Sequence, residues 1–124
     1  MRDQRLWMWH LLAGLVILVF LGLHMAIMHL DALLGLFNPA GGHPVAWDNV
    51  VARAKHGFFT VSYIVLLGAA LFHGLYGLRN ILFELGPGPG LKKGLNALLT
   101  VGGLVTFVYG AWAAWAATAL ARTL

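Results

Sequence analysis

The stretch 6-LWMWHLLAGLVILVFLGLHMAIMHL-30 decides the fold, because it runs for 25 residues without Asp, Glu, Lys or Arg. A helix of about 20 apolar residues crosses the roughly 30 Å hydrocarbon layer of a bilayer. The apolar run is too long for the h-region of a signal peptide, and no small-residue cleavage site precedes Asp31. The stretch therefore predicts a retained membrane span, helix 1, over about residues 7–33.

Two further windows without charged side chains, 56–78 and 94–121, predict two more spans. We expect helix 2 over about residues 50–84 and helix 3 over about residues 91–120. No stretch shows the alternating pattern of a strand. The sequence predicts one all-α domain over residues 1–124, a membrane protein with three transmembrane helices.

The segments between the predicted helices carry helix-breaking residues. The first, 35-GLFNPAGGHPVAWDN-49, contains Asn38-Pro39 and Gly41-Gly42, and its Trp47 suits a membrane interface. The second, 86-GPGPG-90, is a turn. Both segments therefore separate the spans.

The basic residues predict how the chain is oriented. The N-terminus and the second loop carry five of them: Arg2, Arg5, Arg79, Lys92 and Lys93. The first loop and the C-terminus carry three: Arg53, Lys55 and Arg122. Because basic residues concentrate in cytoplasmic loops, we predict a cytoplasmic N-terminus and an external C-terminus.

Composition excludes several classes of protein. The chain of 124 residues is 60% hydrophobic and only 10% charged, whereas roughly a quarter of the residues of a soluble domain are charged. The absence of cysteine excludes iron–sulfur clusters, thiolate zinc sites, disulfides and covalently attached c-type haem from this chain. Iron or zinc chemistry must therefore use histidine. The net charge of +4 does not indicate nucleic-acid binding.

Two of the six histidines, His24 and His73, lie well inside predicted spans, where an ionisable group is costly and suggests a function. At 1.5 Å per helical residue they lie near opposite surfaces, roughly 15–20 Å apart in depth. They cannot share one iron. The small residues Ala69, Gly74 and Gly77 near His73 predict flat space for a porphyrin.

These depths leave two interpretations open: two isolated structural histidines, or two haems stacked across the membrane. Each haem would need a second axial ligand at its own level. Within the chain, His10 matches the depth of His73, and His29 or His56 matches that of His24. A partner subunit is the other source, and spacing does not separate these possibilities.

Three stretches together resemble one family: 5-RLWMWHLLAGLVILVFLGLHMAIMHL-30, 71-LFHGLYGLRNILFELG-86 and 91-LKKGLNALLTVGGLVTFVYG-110. Their ordered set is similar to the di-haem cytochrome b membrane anchor of succinate dehydrogenases and quinol:fumarate reductases. The tryptophan pair, Ala13-Gly14 and the following Gly-Leu-His-Met resemble the outer-haem helix. His-Gly-x-x-Gly-Leu-Arg resembles the inner-haem helix.

The resemblance implies that His24 ligates the outer haem and His73 the inner one, and it places no ligand at His10. In that family the axial ligands come from two halves of a five-helix anchor or from two smaller subunits. A three-span chain therefore implies a second anchor subunit. Some di-haem members carry a glutamate linked to proton movement where this chain has Leu71. Arg79, roughly 9 Å beyond His73 along the helix, suits a haem propionate.

The function implied is that of a non-catalytic electron-transfer subunit in the cell inner (plasma) membrane. It would anchor a flavoprotein and an iron–sulfur subunit, and pass electrons to a membrane quinone through two b haems shared with the second anchor subunit. One alternative is the haem-b anchor of another respiratory dehydrogenase, such as a formate dehydrogenase or hydrogenase. The other is a haem-free membrane scaffold, in which the interior histidines only join helices.

Overall fold

The computed structural model describes residues 2–30 and 43–124, which form four helices. They are α1 (Arg2–His29), α2 (Trp47–Lys55), α3 (Gly57–Glu84) and α4 (Pro89–Ala121). Three of them, α1, α3 and α4, are long and apolar enough to cross a membrane. The all-α fold class with three transmembrane helices is therefore confirmed, while the orientation of the chain stays a prediction.

The helix expected over 50–84 is two helices in the structure. His56 has an extended backbone, with φ −88° and ψ 119°, and it ends α2 before α3 begins at Gly57. Glycine has low helix propensity, so a break there costs little. The short α2 therefore stands apart from the span that follows.

The other boundaries differ from the expected ones by a few residues. α1 already begins at Arg2, and the residues 31–33 expected at its end lie outside the described residues, as do Asn38-Pro39 and Gly41-Gly42. α4 begins at Pro89, two residues early, because proline suits the first turn of a helix. The turn before it contains Gly86 with φ +72°, a conformation that favours glycine.

The three long helices form a row with α3 in the middle. α3 packs against α1 on one side and α4 on the other, and α2 contacts both α3 and α4. Within residues 2–30 and 43–124, α1 makes no contact with α4. The row therefore leaves its broad faces open to lipid or to other subunits.

Glycines let α3 and α4 approach closely in an antiparallel register. A methyl group placed on Gly103 would lie 2.6 Å from Leu75 Cδ1, and one on Gly110 would lie 2.5 Å from Leu67 Cδ2. Small residues at such positions are typical of helix pairs in membranes, where packing drives association.

The polarity of the protein is inverted relative to a soluble domain. Among residues 2–30 and 43–124, the buried polar side chains outnumber the buried apolar ones, while most large apolar side chains are exposed; the buried polar residues are Asn49, Arg53, Thr60 and Thr118. The hydroxyls of Thr60 and Thr118 hydrogen-bond to each other between α3 and α4. A bilayer solvates an apolar exterior, so this distribution fits a membrane protein.

Candidate functional site

The structure brings His10 of α1 and His73 of α3 together. Their imidazole rings are stacked, with centroids 4.1 Å apart and 6° between the ring planes. The Nδ1 atom of His73 lies 3.0 Å from the backbone carbonyl oxygen of His10. Both side chains are half-buried. The histidine expected at the same depth as His73 is therefore its direct neighbour.

The hydrogen bond determines which nitrogen of His73 is free. A carbonyl oxygen can only accept, so the Nδ1 atom of His73 carries the hydrogen and donates it to the oxygen of His10. In a neutral imidazole the other nitrogen, Nε2, then holds the lone pair. A backbone carbonyl commonly orients metal-ligating histidines in this way. If His73 binds a metal, Nε2 is therefore the nitrogen that would ligate it.

Glycines on the facing helices make room for the two rings. A methyl group on Gly14 would lie 3.0 Å from Cε1 and 3.2 Å from Nδ1 of His73. A methyl group on Gly77 would lie 3.3 Å from Cε1 of His10, so the space expected at Gly77 already holds that imidazole. Gly74 has nothing within 4 Å of such a methyl group. Open space beside His73 is therefore on the Gly74 side.

The stacked arrangement does not fit two axial ligands of one iron. Axial imidazoles point their nitrogens at the metal from opposite sides, at about 2 Å each, so the metal lies in the plane of both rings. The rings of His10 and His73 instead lie face to face, 4.1 Å apart, with no room for a metal between them. In this arrangement His10 and His73 therefore do not form a pair of ligands to one iron.

His24 lies at a different level of the membrane. It is 14 residues, or roughly 21 Å, from His10 along α1. Its ring meets that of Tyr63 edge-on at 6.4 Å, in a groove of about 140 Å³ between α1 and α3. His29 and His56 are exposed and do not line this groove. Within the described part of the chain, no three metal-ligating side chains cluster.

Arg79 faces α4, whereas His73 faces α1. Six residues of helix separate them, which places their side chains roughly 120° apart around α3. Arg79 Nε donates to Asn96 Oδ1 at 2.7 Å, and the guanidinium lies 4.3 Å from the ring centre of Phe83. Asn96 was not among the site residues predicted from the sequence, although an amide inside the charge-free window 94–121 was a signal for a polar partner.

Comparisons with known proteins give two curated relatives. The chain is 30% identical over 107 residues to the succinate dehydrogenase hydrophobic membrane anchor subunit of Archaeoglobus fulgidus, covering 84% of this chain and 81% of that protein. It is 28% identical over 98 residues to the subunit of the same name from Thermoplasma acidophilum, covering 78% and 72%. No family model and no solved structure matches the chain.

Proposed function

Because the chain belongs to the family of succinate dehydrogenase hydrophobic membrane anchor subunits, we propose that it carries electrons as well as anchoring its complex. In this proposal its three spans hold the succinate-oxidising flavoprotein and the iron–sulfur subunit at the membrane. Electrons then pass to a membrane quinone through haem b bound at His73 and at His24. A fumarate-reducing direction uses the same path in reverse.

The observation that carries the proposal is the hydrogen bond from His73 Nδ1 to the His10 carbonyl. It leaves Nε2 of His73 as the nitrogen that can bind iron. Gly14 accommodates the imidazole in that position, and Gly74 leaves space beside it. A haem held there would supply reversible one-electron transfer at a level buried in the membrane.

A second anchor subunit supplies the other axial ligands in this proposal. The stack with His10 keeps that ring out of the axial position opposite His73. The broad faces of the three-helix row are open, and the glycine-rich helices permit a partner helix to approach closely. One partner with two intramembrane histidines would complete both haem sites.

The outer site at His24 is supported by its depth and surroundings. A polar imidazole inside a span is costly, so its presence suggests a function. His24 lines a mainly apolar groove with Tyr63, at a level roughly 21 Å from the His10–His73 pair. Two haems at these levels would span most of the hydrocarbon layer.

The test is the reduced-minus-oxidised optical spectrum of the complex purified through a tag on this chain. His73→Ala should lower the low-spin haem b content by about half, because one of two six-coordinate irons loses a ligand. His43→Ala, which removes an exposed histidine, is the matched control and should change nothing. Full haem content in His73→Ala would refute the assignment of this ligand.

A haem-free scaffold is the second candidate. The observation that favours it is that His10 and His73 already join α1 to α3 by stacking and by a hydrogen bond, as structural histidines do. In that case the purified wild-type complex shows no b-type spectrum attributable to the anchor. The same measurement therefore decides between the two candidates.

A further inference from the structure

The groove between α3 and α4 is a site that the proposed haem function does not use. It has a volume of about 430 Å³ and is lined mostly by apolar side chains, with Arg79, Asn96 and Tyr76 toward one end. No histidine of the described residues lines it, so a haem in this groove would find no axial ligand there. We propose that it binds one anionic phospholipid, with the phosphate at Arg79 and one acyl chain along the groove.

The length of the groove fits one leaflet of a bilayer. On α3 its lining runs from Gly68 to Arg79, and on α4 from Asn96 to Phe107. Each stretch rises by 11 residues, or roughly 16 Å, while half of the hydrocarbon layer is about 15 Å. Gly68 lies near the middle of the charge-free window of α3. The apolar end therefore lies at the membrane centre and the polar end at the headgroup level.

Arg79 is the charged side chain of the groove and needs an anion. Its hydrogen-bond acceptors are the neutral amide oxygens of Asn96 at 2.7 Å and Asn80 at 3.0 Å. No carboxylate of the described residues lines the groove. A half-buried guanidinium with only neutral partners keeps an uncompensated charge, and a phosphate is a preferred bidentate partner for it.

The nearby lysine adds to the attraction for a phosphate. The Lys92 ammonium lies 5.5 Å from the ring centre of Phe83, and the Arg79 guanidinium lies 4.3 Å from the same ring centre. Two cations thus flank one aromatic ring at the headgroup end. The predicted orientation puts this end at the cytoplasmic leaflet, which holds the anionic lipids. A neutral lipid tail without a phosphate would leave both charges uncompensated.

The experiment uses the complex purified through this chain in a mild non-ionic detergent. Native mass spectrometry counts the phospholipids that it retains, and titration with dioleoylphosphatidylglycerol measures rebinding after washing. The wild type should retain one anionic phospholipid per copy of this chain. Arg79→Gln should weaken rebinding by roughly tenfold or more, since a charge-assisted hydrogen bond is lost.

Two variants distinguish the contribution of the Arg79 charge from that of the apolar groove. Thr100→Phe keeps the charge and fills the groove from an exposed position, so it should also abolish retention. Arg122→Gln removes an exposed arginine outside the groove and should retain the lipid. Inorganic phosphate should not raise the thermal stability of the washed complex, whereas the phospholipid should.

Four outcomes would overturn the proposal. In the first, the wild type retains no phospholipid because another subunit covers the groove. In the second, the wild type and Arg79→Gln rebind the lipid equally well. In the third and fourth, inorganic phosphate alone stabilises the complex, or the groove retains a neutral quinone in place of the lipid. Loss of haem with unchanged lipid in Arg79→Gln would assign the guanidinium to a haem propionate instead. The first four outcomes concern only what the groove retains, so they do not depend on whether His73 binds haem.

Discussion

Gly14 of α1 lies directly against the imidazole of His73, so close that a methyl group there would be 3.0 Å from Cε1 and 3.2 Å from Nδ1 of that ring. Because Gly14 has no side chain, the imidazole of His73, the proposed haem ligand, can lie directly against α1. The importance of this contact for haem binding can be tested by substituting Gly14, with every histidine kept.

Gly14→Ala should push the ring of His73 away from the carbonyl of His10. Overpacking of this kind costs about 1–3 kcal/mol, which exceeds the gain of up to about 1 kcal/mol from replacing a helical glycine. We expect the haem content of the purified complex to fall by up to half. Gly74→Ala is the matched control, because its methyl group meets nothing within 4 Å. Equal spectra of the two variants would contradict the proposed role of the contact.

His10→Ala should keep the haem at His73. The acceptor for His73 Nδ1 is the backbone oxygen of His10, which alanine retains. The stack and some packing are lost, so we expect a lower thermal stability with an unchanged low-spin spectrum. A loss of haem equal to that of His73→Ala would show instead that His10 rotates into an axial position and that the iron is bound within this chain.

His24→Ala should remove the other haem and leave the spectrum associated with His73 in place. The two histidines lie at levels roughly 21 Å apart, so the sites are independent. The haem content should fall by about half, and His24→Ala combined with His73→Ala should abolish it. A single substitution that removes all haem while the complex stays assembled would argue against two separate sites.

The subunit expressed alone should bind little or no low-spin haem. In the proposed arrangement His73 and His24 would each provide one axial ligand at its own level, and the stacked His10 would not provide a second. Co-expression with a second anchor subunit should give two haems per pair. A low-spin di-haem cytochrome recovered from this chain alone would disprove the shared-ligand arrangement.

Thr118→Val should destabilise the protein more than Thr60→Val. The Thr118 hydroxyl donates to the Ala114 carbonyl at 3.1 Å, so the Thr60 hydroxyl is the donor between the two threonines. Removing Thr60 leaves Thr118 bonded, at a cost of about 0.5–1.5 kcal/mol. Removing Thr118 leaves a buried donor unpaired, at a cost of about 1–3 kcal/mol. Unfolding in mixed detergents measures the difference, and the reverse order would disprove the donor assignment.

The spans and the relative depths were predictable because both follow from one-dimensional information. Charge-free windows give the helices, and 1.5 Å per residue places His10 beside the level of His73 and His24 far from it. The break at His56 was not predictable, because the segment 50–84 contains no proline and a single glycine at 57 does not end a helix by itself.

The direction in which each side chain faces was harder to predict from the sequence than the spans. Depth alone indicated that Arg79 lies beyond His73, but it did not show that the two side chains face different neighbours. That information depends on which helix is central in the row, and charge-free windows and depths along a helix do not give this order. The same holds for Gly77, whose small size suggested open space that the imidazole of His10 occupies.

The central position of α3 also has a consequence for biogenesis. A nascent chain that inserts its spans in order exposes α1 to lipid with no intramolecular partner until α3 has entered the bilayer, because α1 contacts no other described helix. His10 and Gly14 are therefore synthesised about 60 residues before His73, whose imidazole they contact in the folded protein. The His73 site can thus form only after α3 has been synthesised and has packed against α1. Ribosome-bound chains that are truncated before α3 would lack this site.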